Sequence, residues 1–207
     1  MEKSTRERII AATIDFIEKY GIHAVTIRGI AKAAGVNSAA INYYFRSKEN
    51  LLDETLKLTM KHLQFDLFNM TEKEGQSPGE LLQMILFYFL AGSMKFPGIT
   101  KAHLYGLFVN NDENGIFAGL FKSFIGHLAD KLGQIDPGRA KEDIRMSVAQ
   151  LFSAVLLPCI FPDMFKESVN LDFKDVDMQR KYIHNFVNRF YPVDKEPGDW
   201  HPLPLNG

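Results

Sequence analysis

The amino-acid sequence predicts an all-α fold, and three observations support this prediction. Apolar residues recur at three- and four-residue spacing along most of the chain, which is the period of a helix face. Capping sequences such as Ser4-Thr5-Arg6-Glu7 stand where these stretches begin. No segment between turn signals shows the sustained two-residue alternation that is typical of strands. We therefore expect about nine helices and no sheet.

The first four predicted helices follow one another closely. They are 4–20, 27–34, 38–45 and 47–70, and their expected caps are Ser4, Thr26, Ser38 and Ser47. Gly21 and Gly35 follow the first two helices, at the position where a residue of positive φ commonly ends a helix. The second and third helices are short and are joined by a brief turn that contains glycine, so this segment is predicted to be a helix-turn-helix.

Longer helices are predicted for the rest of the chain, at 78–95, 97–110, 114–133, 139–157 and 172–190. Pro158 and Pro162 are expected to end or kink the helix 139–157, because an interior proline removes a hydrogen bond and clashes with the preceding turn. The tail 192–207 holds four of the nine prolines. It is expected to be irregular, although Trp200 could still pack against the body of the protein.

Several protein classes are disfavoured by the composition. Cys159 is the single cysteine, so an intramolecular disulfide is excluded and a reducing cytosol is favoured. The opening residues carry charges where a signal peptide needs its apolar core, so a cytoplasmic protein is expected. The apolar stretches 81–94 and 146–165 are short or interrupted by polar residues and proline, so we expect buried helices there and no membrane span.

Catalytic and metal-binding patterns are not found in the sequence. The six histidines are not paired with other ligands at helical spacing, and no G-x-S-x-G, P-loop or G-x-G-x-x-G sequence occurs. We therefore expect no enzymatic activity, no cofactor and no metal site. A helical enzyme is kept as the alternative class, which a bound metal or a cleft lined by perturbed carboxylates would favour.

Charge is distributed unevenly along the chain. The net formal charge is −1, but residues 1–50 carry eight Lys and Arg against five acidic residues, and the other 157 residues are net acidic. Such asymmetry is a mild indication of an anionic partner for the basic part.

The third predicted helix has the face that a recognition helix needs. Ile41 and Phe45 are four residues apart and are expected to enter the core. The outward set is then small and polar at its start and aromatic at its end: Asn37, Ser38, Ala39, Asn42 and Tyr43, with Tyr44 at the flank. Short side chains allow a helix to enter the major groove of DNA. The alternative is a surface helix whose tyrosines lie along the core and contact nothing else.

The segment 6–56 resembles the N-terminal DNA-binding domain of the TetR family of bacterial transcription regulators. Its sequence is RERIIAATIDFIEKYGIHAVTIRGIAKAAGVNSAAINYYFRSKENLLDETL. The resemblance is carried by I-x-x-A at the start, by the G-x-x-x-x-T-I-x-x-I-A-x-x-A-G-V run, and by F-x-S-K-E-x-L at the end. The resemblance implies a DNA-binding domain at 1–50, a helical ligand-binding and dimerisation domain at 51–191, and the tail 192–207.

The resemblance also implies roles for individual residues. Thr26 is expected to cap its helix and touch phosphate, and Arg28 to reach a base or a phosphate. Asn37, Ser38, Ala39 and Asn42 are expected to face the bases, and Tyr43 and Lys48 to contact phosphates. The contact of Tyr44 with DNA is left open, because this position is frequently His in the family. The operator sequence is left open too, since Ala39, Ala40 and Asn42 also depart from the family's frequent residues.

A cavity for a small-molecule inducer is implied in the larger domain, where fifteen of the seventeen phenylalanines lie. The candidate lining residues are Phe65, Phe68, Met94, His103, Leu107, Phe121, Phe124 and Phe152. An aromatic lining with methionine suits an apolar or aromatic inducer. Most of these rings would in any case serve the core.

The family dimerises through its last two long helices, which here would be roughly 139–157 and 174–190. A homodimer would bind a near-palindromic operator through two recognition helices. The expected function is therefore that of a ligand-responsive repressor. A related DNA-binding protein that does not repress, or that has no small-molecule ligand, is the nearest alternative.

Overall fold

The computed structural model describes residues 4–110 and 113–193, and these residues are all-helical apart from turns and loops, as predicted. A 3-10 turn, Ile22–Ala24, follows the first helix. The ten helices in the described residues are α1 (Thr5–Tyr20), α2 (Ile27–Ala34), α3 (Ser38–Phe45), α4 (Lys48–Thr71), α5 (Pro78–Lys95), α6 (Pro97–Asn110), α7 (Ile116–Ile135), α8 (Lys141–Ile160), α9 (Pro162–Val169) and α10 (Val176–Val187). Most of the predicted tail, with Trp200, lies outside the described residues.

The chain forms two compact units, and neither is continuous in sequence. The first comprises Met1–Leu63 and Phe96–Gly119, and the second Gln64–Lys95 and Leu120–Gly207. The first unit therefore contains α6 in addition to the helix-turn-helix. The predicted boundary at residue 51 separates the expected DNA-binding domain from the expected ligand-binding and dimerisation domain, and it stays a prediction.

The core of the first unit joins the helix-turn-helix to α6. Ile17, Ile30 and Ile41 are completely buried in one apolar cluster that also includes Ile99 of α6. At the start of α6, the Glu18 carboxylate accepts hydrogen bonds from the backbone N–H groups of Gly98 and Ile99, each at 2.8 Å. A carboxylate is well placed there, because the first N–H groups of a helix have no partner within it.

The second unit is built around α5, which packs against both α8 and α10. α5 is buried over most of its length, including the side chains of Leu82, Ile85 and Leu86. A helix that is apolar on nearly every side is stable only when other helices surround it. A capping box begins α5, since Glu80 N–H donates to Ser77 Oγ and Ser77 N–H donates to the Glu80 carboxylate.

One predicted cap and two predicted helix limits were wrong. α3 is capped by Asn37, whose Oδ1 accepts from Ala40 N–H at 2.8 Å, so Ser38 is the first helical residue. α8 continues through Pro158 to Ile160, and Pro162 begins the additional helix α9. The last helix begins at Val176, after the cap Asp175, and not at residue 172.

α8 tolerates Pro158 because another helix replaces the missing donor. A proline cannot donate to the carbonyl four residues before it, which here belongs to Ala154. The Tyr182 hydroxyl of α10 donates to that carbonyl oxygen at 2.9 Å. The sequence around residue 158 contains no sign of this contact, since its donor lies 24 residues further along the chain.

α8 is the single helix of the described residues that is long and apolar enough to cross a membrane unaided. Its side chains Val148, Leu151 and Val155 are buried within the second unit. The core helix of a soluble protein has the same length and composition, in keeping with the expectation of a buried helix.

Candidate nucleic-acid interface

The start of α2 presents a hydroxyl and a cation to solvent. Thr26 is the N-cap, and its Oγ1 accepts from Gly29 N–H at 3.1 Å. The hydroxyl proton of Thr26 is not used in that bond, so it can be donated to a further acceptor. Arg28, in the first turn of α2, has an exposed side chain.

The short helix α3 has one buried face and one exposed face. Ile41 and Phe45 are buried at 0% and 1% exposure, as the four-residue spacing predicts. The residues Asn37, Ala39, Asn42, Tyr43 and Tyr44 are exposed, and Ser38 is half-buried. Small and polar side chains therefore occupy the exposed face at the start of α3, with tyrosines at its end.

The three consecutive rings at the end of α3 have different environments. Tyr43 is 82% exposed and Tyr44 is 40% exposed, whereas Phe45 is buried. The Tyr43 and Tyr44 rings meet edge to face, with their centroids 5.1 Å apart. Tyr44 is thus held between a buried ring and a solvent-exposed ring.

α4 begins directly beside these tyrosines. Ser47 caps it by accepting from Asn50 N–H at 3.1 Å, and Lys48 is the first helical residue. The intervening Arg46 has φ +65°, which is unusual for a residue with a side chain. Lys48 follows Tyr43 by five residues, across the turn at Arg46, so two groups suited to phosphate oxygen flank this turn.

Contacts from α1 hold the helix-turn-helix. Arg8 donates from Nη2 to the carbonyl oxygens of Ala34 (2.9 Å) and Gly35 (3.2 Å) at the end of α2. Gly35 has a left-handed conformation with φ +65°. Arg6 pairs with Glu54, and its guanidinium carbon lies 5.6 Å from the centroid of the Phe45 ring. The end of α2 and the last residue of α3 are therefore each linked to the start of α1.

The eight predicted inducer contacts are divided between the two compact units. His103 and Leu107 belong to the first unit. The others belong to the second: Phe65, Phe68, Met94, Phe121, Phe124 and Phe152. Phe65 is 68% exposed, so its ring does not line the interior of that unit.

Four of these residues belong to one aromatic cluster in the second unit. Phe152 contacts Phe121 (5.5 Å between centroids) and Phe124 (6.3 Å), and Phe124 contacts Phe68 (5.8 Å). The cluster also contains Phe89, whose ring lies 5.4 Å from that of Phe152. Phe89 was not among the predicted contacts, because the spacing within α5 places many apolar residues on every face.

The rim of this cluster carries polar groups. The His127 ring stacks on Phe68 at 4.8 Å, and its Nε2 lies 2.8 Å from Thr71 Oγ1. In the same unit, the Tyr88 hydroxyl donates to Asp66, and burial together with this carboxylate raises the pKa of Tyr88 above its usual range. His127 and Thr71 were also missed, since their pairing joins α7 to the end of α4.

His103 occupies a separate environment in the first unit. Its Nε2 lies 2.9 Å from Thr59 Oγ1, and its ring stacks against Phe117. Burial lowers the pKa of His103 to about 4, so the imidazole is neutral near pH 7 and pairs with the hydroxyl as an uncharged group.

Comparison with known proteins adds two findings. Residues 9–55 match the family described as bacterial regulatory proteins, tetR family. The HTH-type transcriptional regulator BetI from Yersinia pestis (strain Pestoides F) is 38% identical over 63 residues, which are 30% of this chain and 32% of BetI. The chain therefore matches about a third of the length of this curated relative.

The fold is shared over nearly the whole chain. The fatty acid degradation regulator FadR from Bacillus halodurans aligns with a TM-score of 0.67 and 19% identity, over 90% of this chain and 96% of that one. FadR from Bacillus subtilis, solved in complex with stearoyl-CoA, aligns with a TM-score of 0.60 and 18% identity, over 87% and 97% of the two chains. Likeness at these identities concerns the fold alone.

Proposed function

Because residues 9–55 match the tetR family of bacterial regulatory proteins and the chain shares its fold with solved transcriptional regulators, we propose that it is a dimeric, ligand-responsive transcriptional repressor. α3 would enter the major groove of a near-palindromic operator, and an apolar or aromatic inducer would release the protein from DNA. The observation that carries the proposal is the exposed face of α3, on which the large aromatic residues stand only at the end.

The exposed face of α3 has the chemistry that base recognition requires. Ala39 is small enough to let the helix approach base edges, and its methyl group can contact thymine. Asn42 offers both an amide donor and an acceptor, the pair that matches adenine in the major groove. Asn37 Oδ1 is engaged in the cap of α3, so Asn37 would meet a base or a phosphate through its amide nitrogen.

Phosphate contacts would fix the position of α3 on the duplex. Tyr43 and Lys48 would hold one strand, and the Thr26 hydroxyl and Arg28 would hold the other edge of the groove. Hydroxyls, cations and free N–H groups at helix starts are the common phosphate ligands in protein–DNA complexes. Tyr44 is less exposed than Tyr43 and would contribute less.

Dimerisation would use α8 and α10. The side chains of Met146 and Leu157 are exposed on α8, and they lie three helical turns apart, hence on one side of it. Phe161, just before α9, and Met164 in α9 are exposed apolar residues too. Apolar surface of this kind favours a second copy, and two-fold symmetry would set two α3 helices about 34–36 Å apart on DNA.

The inducer would bind beside the aromatic rings of the second unit. The cluster of Phe68, Phe121, Phe124 and Phe152 supplies apolar contacts, and His127 with Thr71 supplies polar ones. Pockets for small molecules commonly combine these two kinds of lining. The stearoyl-CoA complex of the Bacillus subtilis neighbour makes a long acyl chain one apolar ligand to test first.

The DNA-binding proposal can be tested with the duplex upstream of the gene that encodes this chain. We expect binding that weakens steeply as salt rises, because phosphate contacts release counterions. The double variant Tyr43→Ala plus Lys48→Ala should bind more weakly. Its salt dependence should also be shallower by about two units in a dimer, since each lost lysine–phosphate contact removes about 0.9.

The matched control is Lys19→Ala plus Tyr20→Ala. This pair is also an exposed lysine beside an exposed tyrosine in the same unit, but it lies at the end of α1. The control should bind like the unmodified protein. Salt-insensitive binding, or equal losses in the two double variants, would contradict the assignment of Tyr43 and Lys48.

The inducer proposal needs a separate measurement. Stearoyl-CoA, free coenzyme A and a small aromatic acid should each be titrated into the protein–DNA complex, and release should be followed by fluorescence anisotropy. Release by the acyl compound or the aromatic acid, but not by free coenzyme A, is expected. Equal release by all three would indicate an ionic effect and would contradict an apolar inducer site.

A further inference from the structure

We propose that Arg8 is a positioning residue for sequence recognition: it sets the start of α3 relative to α1, and so determines how well the protein distinguishes its operator from other DNA. This inference rests on the proposed DNA binding. It assigns to Arg8 a role that does not require contact with DNA.

Arg8 contacts the backbone at the end of α2. Nη2 of Arg8 donates to Ala34 O at 2.9 Å and to Gly35 O at 3.2 Å. The last carbonyls of a helix have no intrahelical partner and carry partial negative charge. A guanidinium that donates to two successive carbonyls supplies their missing hydrogen bonds and balances their partial negative charge. It also restrains the chain at the point where the turn begins.

Side-chain packing alone leaves space at this point. An open groove of about 480 Å³ runs along α1 and the end of α2. Four of its lining residues are alanines, at positions 11, 12, 33 and 34, and Arg8 lines it as well. Alanine side chains are too short to fill such a gap. The buried faces of the two helices pack in one core cluster, which includes Ile9 and Ile30. The hydrogen bonds of Arg8 add a polar link between the same helices beside the open groove.

Movement at Gly35 would pass directly to the recognition helix. Only Val36 and Asn37 separate Gly35 from α3, and the side chain of Asn37 already forms the cap of α3. A displaced Gly35 therefore displaces Ala39 and Asn42. The other end of α3 is held separately, by the contact of Arg6 with the Phe45 ring.

Base readout and phosphate contact respond differently to such a displacement. Hydrogen bonds to base edges require close alignment, whereas cation–phosphate attraction is long-ranged and carries no sequence information. Loss of the Arg8 contacts should therefore lower affinity for the operator and leave affinity for unrelated DNA nearly unchanged. A direct Arg8–phosphate contact would instead lower both affinities and reduce the salt dependence.

The test compares the full-length protein with Arg8→Lys and Arg8→Met. Lysine keeps the charge but cannot reproduce the paired donors of the guanidinium. Methionine removes both the charge and the hydrogen-bond donors. Affinity should be measured for the upstream duplex and for a scrambled duplex of equal length and composition, each at three salt concentrations. Lys19→Met, which removes an exposed cation further along α1, is the matched control.

We expect the ratio of the two affinities to fall about tenfold in both Arg8 variants, the size of one lost base contact. The salt dependence of Arg8→Lys should match that of the unmodified protein. Affinity for the scrambled duplex should be retained in Arg8→Lys, which also shows that the variant is folded. Amide exchange over residues 35–45 should be faster in Arg8→Met and unchanged in Lys19→Met.

Two results would overturn the inference. One is an unchanged affinity ratio in Arg8→Met. The other is a loss in Arg8→Met that is equal for both duplexes and accompanied by a shallower salt dependence, which would make Arg8 a phosphate ligand. If the unmodified protein itself shows no preference for the upstream duplex over the scrambled one, the proposed function fails at that step. A failure of the proposed function is thereby distinguished from a failure of the role of Arg8.

Discussion

The helix starts of the helix-turn-helix segment and two backbone carbonyls of the second compact unit are satisfied in different ways. In the segment 4–56, the caps Ser4, Thr26, Asn37 and Ser47 each accept from an N–H group three residues ahead. In the second unit, two side chains donate to backbone carbonyls far away in sequence. These are Tyr182 to Ala154 O and Arg139 to Phe190 O, 28 and 51 residues apart.

This difference has a functional meaning. A recognition helix needs its outer face free for a partner, and caps that are local in sequence leave that face uncovered. The apolar ligand site proposed for the second unit needs helices that pack around rings, so some of its carbonyl groups are satisfied by side chains of other helices. We therefore expect substitutions in the first region to have small, local effects on stability, and substitutions in the second region to have larger ones.

The largest effect is expected where backbone segments approach closely in the second unit. A Cβ atom on Gly79 would lie 2.3 Å from Val193 Cγ2 and 2.8 Å from the Tyr191 carbonyl oxygen. Gly79→Ala should lower the free energy of unfolding by about 1–3 kcal/mol, because the backbone oxygen cannot move aside. Thermal and urea unfolding would measure this.

Two other glycines serve as controls for Gly79. Gly126 in α7 has open space around it, so Gly126→Ala should stabilise the protein by up to about 1 kcal/mol. In the helix-turn-helix, a Cβ on Gly29 would meet the end of the Phe16 ring at 2.9 Å, and a side chain can move where a carbonyl cannot. A larger loss from Gly29→Ala than from Gly79→Ala would contradict the comparison.

The second prediction concerns the donor to Ala154. Tyr182→Phe removes the hydroxyl that satisfies this carbonyl, and an unsatisfied half-buried acceptor should reduce the free energy of unfolding by about 1–3 kcal/mol. Tyr20→Phe removes the hydroxyl of a tyrosine that is 54% exposed and should change stability by less than about 0.5 kcal/mol. Chemical denaturation would measure both.

A double-mutant cycle makes this prediction specific. In Pro158→Ala, the new N–H of residue 158 can donate to Ala154 O, so Tyr182→Phe should be less damaging in that background. Such a coupling between contacting groups is what the cycle measures. Equal losses in both backgrounds would show that the hydroxyl stabilises the protein in some other way.

A smaller effect is expected for a local cap. Asn37→Ala should reduce stability by about 1 kcal/mol, the usual value for loss of an N-cap. Ser38→Ala should be nearly neutral, because Ser38 is the first residue of the helix and does not cap it. Urea unfolding would measure the stability of the two variants. A larger loss of stability from Ser38→Ala than from Asn37→Ala would show that Ser38 caps α3, as expected from sequence.

The smallest effect is expected for the exposed ion pairs around α9. The hydrogen bonds from Lys174 and Lys166 lower the pKa values of Asp163 and Asp172, respectively, below the ordinary 3.8. Because the folded pKa values are the lower ones, this stabilisation is present above about pH 4. It is lost as the pH falls through the folded values.

Amide exchange of α9 between pH 5 and pH 2.5 would detect the loss of these ion pairs. Lys166→Met plus Lys174→Met should remove the acid-dependent increase in exchange and leave α10 unaffected. High salt should weaken the effect too, since these pairs are solvent-exposed. An acid response that persists in the double variant would assign it to other carboxylates.

The helix-turn-helix was predictable because its signals are local. The limits of α2 and α3 agree with the prediction, since Thr26 and Gly35 lie within a few residues of the backbone groups that they satisfy. The burial of Ile41 and Phe45 and the exposure of Tyr43 followed from helical spacing alone. The predicted cap Ser38 was wrong by one residue, because Asn37 and Ser38 are adjacent and have similar capping tendencies.

The second unit was predictable only in outline. The helical content and the concentration of aromatic residues were expected, but α9 was missed, and α8 does not end at Pro158. Among the predicted inducer contacts, four rings share one cluster, Phe65 is exposed, and His103 and Leu107 belong to the other unit. Hydrophobicity alone does not say which apolar residues meet.

The sequence by itself therefore determined the all-helical fold, the helix-turn-helix and the set of residues on the outer face of α3, because helix periods and caps act over three or four residues. Only the tertiary structure decided that Tyr182 supports α8 at Pro158, that Arg8 bonds to the end of α2, and which rings form the cluster around Phe152. Each of these depends on a donor, an acceptor or a surface brought close by packing, and no local pattern records such a distance.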